Sequence, residues 1–136
     1  MNYIFSAIFL YFFLGFLLYI FQRRIVFNKS GHPGAPKDYN LDNTEEVYIK
    51  TEDNLKLLSW YHKGNNSLPL LVYFHGNSFH IGDRAYRIQK YIEKNWSVLL
   101  VSWRGFGGNK GDPTEKNLYK DSEAVLKWIK NNTEFK

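Results

Sequence analysis

The chain has 136 residues, enough for one domain at most, and it carries a formal net charge of +5 with 18% aromatic residues. It contains no cysteine, which excludes disulfides, thiolate metal sites and a cysteine nucleophile. Its basic residues are scattered among acidic ones, with no stripe and no nucleic-acid motif, so nucleic acid is not an expected partner.

Tyr3 to Phe21 has no charged residue. As a helix, this run of nineteen residues spans about 28 Å, close to the hydrocarbon thickness of a bilayer. A cleaved signal peptide carries its cations before the apolar run and a small-residue site after it. Here Gln22-Arg23-Arg24 follows the run instead, so residues 1–24 are expected to be an uncleaved transmembrane anchor in the lipid bilayer. Arg23, Arg24 and Lys29 all lie on its carboxyl side. The positive-inside tendency then predicts a single-pass protein whose soluble part faces the cytoplasm.

Residues 25–45, with Gly31, Pro33, Gly34 and Pro36, read as an irregular connector that lets the domain stand off the membrane. Residues 46–136 form the soluble unit. Val47–Lys50 and Leu55–His62 flank a Thr51-Glu52-Asp53-Asn54 turn and predict an antiparallel hairpin. Leu70–Phe74 and Val98–Val101 are nearly continuous apolar runs, as in parallel strands covered on both faces. Between them Ile81, Ala85, Ile88 and Ile92 recur at helical spacing. A second helix follows the glycine-rich Arg104–Gly111 loop, with Leu118, Val125 and Ile129 on one side. Asp112, with Pro113 after it, is the expected cap, and Thr114 the alternative. The fold class is therefore α/β: an antiparallel hairpin plus two parallel strands with flanking helices, preceded by one transmembrane helix. The last helix is expected to need a further strand beside the sheet to cover its apolar side.

The run YFHGN, Tyr73 to Asn77, resembles the strand-end HG motif of the α/β-hydrolase superfamily, and Val98 to Ile129 is similar to that superfamily's fourth strand and next helix. The order of features most resembles membrane-anchored α/β-hydrolase-domain proteins and their serine-aminopeptidase-like relatives, over nearly the whole chain. The resemblance implies the amino-terminal half of an α/β-hydrolase sheet. It also implies that the backbone N–H of Asn77 serves an oxyanion hole, where a fixed donor meets the charge that develops on a substrate carbonyl. His75 and Gly76 would support the motif, His75 by shaping the loop and not as the triad base. The plainer reading of Gly76-Asn77 is a tight strand-to-helix turn.

No catalytic residue is assigned within the chain. Ser78 sits where a nucleophile elbow would, but His80 replaces the second glycine of G-x-S-x-G, and no histidine follows His80. The nucleophile is expected just beyond Lys136. His75 and His80 are five apart across a break, with no acid at ligand spacing, so no metal is expected, and no cofactor. Arg104–Gly111 matches neither phosphate-loop pattern, and Asp121 reads as a helix residue facing polar neighbours.

These readings converge on the amino-terminal part of a membrane-anchored serine hydrolase. It would act on a small acyl or peptide substrate, an ester, thioester or amide, by acyl transfer, and would be inactive without its nucleophile. The alternatives are a membrane-tethered α/β module that binds without catalysis, and a small membrane protein whose anchor is its function.

Overall fold

The uncharged amino-terminal run folds as one helix, α1 (Asn2–Val26), in a computed structural model that describes residues 2–135. Residues Tyr3–Val26 are long and apolar enough to cross a membrane, and none of the most apolar window is buried against the rest of the chain. Its last turn holds Arg23 and Arg24, where cations complement the carbonyl end of the helix dipole.

The soluble part is built on a four-stranded sheet in the order β2-β3-β6-β4. The hairpin is β2 (Thr44–Lys50) and β3 (Lys56–His62), antiparallel from Thr44 opposite His62 to Lys50 opposite Lys56. The apolar runs are β4 (Leu70–Phe74) and β6 (Ser97–Val101), parallel from Leu70 opposite Ser97 to Phe74 opposite Val101. Between them lie a single 3₁₀ turn, Ile81–Arg84, and α2 (Ala85–Ile92). The chain then closes with α3 (Glu115–Asn132).

The period of two in β6 divides its side chains between two cores. Val98 and Leu100 join Leu58, Trp60, Ile81, Ala85 and Ile88 under α2. Leu99 and Val101 join Ile49, Leu57, Ala124, Val125 and Ile129 under α3. Each buried aliphatic side chain contributes roughly 1.5–3 kcal/mol, so the two internal strands, β3 and β6, carry the sheet's main apolar burial, and β6 is buried at every residue.

Three expectations need correcting. The two apolar runs are not equivalent, because β6 is fully buried whereas β4, at the rim, is only partly buried along its whole length. The apolar side of α3 is not left bare: Val125 is 0% and Ile129 9% exposed, seated on the sheet, and Leu126 and Tyr119 point outward. The helix is capped by Thr114, whose hydroxyl accepts from Asn117 N–H at 3.3 Å. Asp112 is drawn off to Lys29 Nζ at 3.3 Å, and its carbonyl accepts from Thr114 N–H.

The connector is not an irregular spacer either. Asn28–Lys29 forms a two-residue strand, β1, parallel to β5 (Ser78–Phe79), with Asn28 opposite Ser78 and Lys29 opposite Phe79. Pro36–Tyr39 is a 3₁₀ turn whose Tyr39 packs on Trp60, with ring centroids 5.4 Å apart. The end of α1 is thus stitched to the segment that leaves β4.

Candidate active site

The carboxyl ends of β4 and β6 lie side by side, the position at which open α/β sheets bind ligands. His75, directly after β4, is 3% exposed. Its Nε2 accepts from Trp103 N–H at 3.3 Å, and its carbonyl accepts from Trp103 Nε1–H at 2.8 Å. Phe74 stacks on the Trp103 ring at 4.4 Å, and Phe106 meets the His75 ring edge-on at 5.0 Å. With Nε2 accepting, the ring proton sits on Nδ1, which is buried without a partner. Burial, reinforced by the nearby charges of Arg84 and His80, pulls the His75 pKa down to about 4. A neutral, enclosed imidazole holding two loops together is a clamp.

The next two residues turn outward. Gly76 and Asn77 are exposed, and a Cβ at Gly76 would meet nothing within 4 Å. The Asn77 carbonyl accepts from Asn28 N–H at 3.1 Å, and its side-chain amide donates to the Val26 carbonyl at 2.8 Å. Its backbone N–H donates to nothing among the described residues. A free amide therefore stands at the sheet end beside open space.

Ser78 is committed to the backbone ladder with Asn28, and its carbonyl accepts from Arg84 at 3.4 Å. His80 Nδ1 lies 3.0 Å from Asp83 Oδ2, within ion-pair range but outside hydrogen-bond geometry. Among the described residues no group of three or more His, Asp or Glu is placed to hold a metal ion.

Beyond β6 the chain is locked by charge. Arg104 is 2% and Asp121 0% exposed. Asp121 accepts from Arg104 Nε at 2.8 Å, from Nη2 at 2.6 Å and from its backbone N–H at 3.1 Å. Asp53, in the hairpin turn, accepts from Nη1 at 2.8 Å and Nη2 at 3.2 Å. Burial opposes the guanidinium charge, but the bonds to Asp121 and Asp53 outweigh it and raise the Arg104 pKa. The bond from Arg104, helped by Thr51, holds Asp53 well below the usual carboxylate range. Asp121 is thus a helix residue whose polar neighbour is Arg104, and the two form a buried ion pair tying α3 to the loop after β6. The glycine-rich loop between them folds on itself, with Gly105 at φ 78° and Asn109 bonded to the carbonyls of Ser102 and Trp103 and to Leu58 N–H.

No family model matches the sequence. The chain is 26% identical over 127 residues to the α/β hydrolase domain-containing protein WAV2 of Arabidopsis thaliana, covering 87% of this chain and 41% of that protein. It is 29% identical over 115 residues to the uncharacterized membrane protein YNL320W of Saccharomyces cerevisiae, covering 80% and 40%. Among solved structures, the esterase Pf2001 of Pyrococcus furiosus superposes with a TM-score of 0.60 at 25% identity, over 78% of this chain and 42% of the esterase. The chain belongs to the α/β-hydrolase superfamily. It spans about two fifths of the length of each of these three proteins.

Of the residues picked from the α/β-hydrolase resemblance, His75, Gly76 and Asn77 lie together at the end of β4, and Ser78 continues into β5. Sequence reasoning missed Trp103 and the Arg104–Asp121–Asp53 network. The one available signal was Arg104, three residues beyond the apolar run Val98–Val101, a charge that burial there would force to find partners.

Proposed function

We propose that these residues are the amino-terminal part of a membrane-anchored serine hydrolase that cleaves an ester, thioester or amide by acyl transfer. In this reading Asn77 supplies one oxyanion donor through its backbone N–H, and the nucleophile comes from sequence outside these 136 residues. One observation carries it: an unpaired Asn77 N–H at the carboxyl end of a parallel strand, with open space over Gly76. α1 crosses the bilayer once, with the soluble part on the cytoplasmic side. The apolar helix and a relative named as a membrane protein support the span, and the cations after it support the orientation.

Two experiments test this. A fluorophosphonate serine probe should leave the 136-residue chain unlabelled and should label a longer product of the same gene. In that longer product Asn77→Pro, which removes the N–H, should lower kcat about 10²–10³-fold, whereas Asn77→Ala keeps the N–H and should stay within tenfold of the parent. Equal losses for the two, or labelling of the 136-residue chain, would count against the assignment. Because the chain has no cysteine, single cysteines introduced at Lys37 or Lys63 report the side of the membrane by reagent accessibility.

A further inference from the structure

A cleft of about 480 Å³ opens between the end of α1 and the loop leading into α3, lined by Arg23, Arg24, Asn28, Lys29, Asp112 and Pro113 among others. Three of these are cations and one is an acid. Lys29 is partly neutralised by Asp112 at 3.3 Å. The Arg23 and Arg24 guanidinium groups have no hydrogen-bond or ion-pair partner among the described residues. Within the helix, Arg23 and Arg24 follow Phe21, the last residue of the uncharged run, by about 3–4.5 Å along the axis. That is the depth of lipid phosphates when the run fills the hydrocarbon core. An arginine fork matches phosphate oxygens in pairs.

We infer that this cleft is a binding site for the phosphate headgroup of an anionic phospholipid of the surrounding bilayer, held by Arg23, Arg24 and Lys29 with its acyl chains alongside α1. The inference rests on the reading of α1 as a membrane span. It does not depend on hydrolase activity. The cleft shares Asn28 with the turn after β4, since Asn28 N–H donates to the Asn77 carbonyl. The wall of the cleft therefore adjoins the candidate oxyanion turn.

The test uses the full chain reconstituted in phosphatidylcholine bilayers doped with chain-spin-labelled phosphatidylglycerol or phosphatidylcholine. Electron paramagnetic resonance reads the motionally restricted lipid fraction, and carbonate extraction reads insertion. The labelled phosphatidylglycerol should be preferred over phosphatidylcholine. Arg23→Gln and Arg24→Gln should each reduce that preference by about fivefold. Asp112→Asn should raise it, which a merely damaged fold would not do. Asn28→Trp fills the cleft without changing charge and should abolish it. Preserved amide spectra confirm that each variant is folded, and the exposed Arg23 and Arg24 variants keep the test decisive if Asn28→Trp is not. An inserted chain with no headgroup preference overturns the site. A preference that survives cleft filling in a folded variant assigns it to diffuse surface charge and also overturns the site. Displacement by millimolar glycerol phosphate assigns the cleft to a free phosphate and overturns the lipid. A chain extracted by carbonate overturns the membrane span and the site together.

Discussion

The ends of β6 and β4 lie next to each other and are held in opposite ways. After β6 the chain is closed: Arg104 and Asp121 are buried against each other, and Asn109 seals the loop onto Ser102, Trp103 and Leu58. After β4 it is open: Gly76 and Asn77 are exposed, an amide is unpaired, and the segment is fastened to the exit of α1. The closed end has the stabilising ion pair, and the open end has the free donor. A scaffold that fixes one loop can leave its neighbour facing solvent, where a ligand can reach it.

The contrast can be broken by substitution. Asp121→Ala leaves the buried Arg104 Nε and backbone N–H without an acceptor, with Asp53 as its remaining partner, and is expected to cost about 3 kcal/mol, measured by urea unfolding of the full chain in micelles with tryptophan fluorescence. A cost below about 1 kcal/mol would mean the closed end is held by packing alone. Leu100→Ala in β6 should cost about 2–5 kcal/mol in the same assay, and Leu71→Ala in half-buried β4 distinctly less. Equal costs would erase the distinction between the central strand and the rim.

Acid sharpens the comparison from the open side. The folded His75 pKa, about 4, lies below its unfolded value of 6.5. Its neutral clamp is therefore complete above about pH 6.5 and is lost as pH falls toward 4, a total of about 3 kcal/mol. Asp53, also depressed, adds a loss in the same direction at still lower pH. Replacing His75 by Gln should flatten the profile between pH 6.5 and 4 and leave the more acidic limb. The smallest effect is that of Asn77→Ala, which removes the bond to Val26 and should cost about 1 kcal/mol. Faster hydrogen exchange of the Asn28 amide would mark the loosened stitch.

Much of this architecture was legible from local pattern. The alternation in Val47–Lys50, the apolar runs at Leu70 and Val98, and the helical spacing from Ile81 to Ile92 each marked an element of the right kind. Strand order was not legible, because the apolar runs of β4 and β6 do not record which is central. The β1–β5 pairing involves two residues on each side, too few for any period to register. Asp53 and Asp121 stand 51 and 17 positions from Arg104, and no sequence pattern says which acids its charge would find. In the candidate site, the HG pair pointed to the place, but Trp103, which pins His75, carries no motif.

The two rims of the sheet also differ in chemistry. β2 presents Glu45, Glu46 and Lys50 along its length, whereas β4 reads LLVYF without a charge. Charged borders repel incoming backbone and uncharged ones welcome it. The sheet is therefore polarised for growth: an additional extended segment, from any source, would add at Leu70–Phe74 and be turned away at Thr44–Lys50.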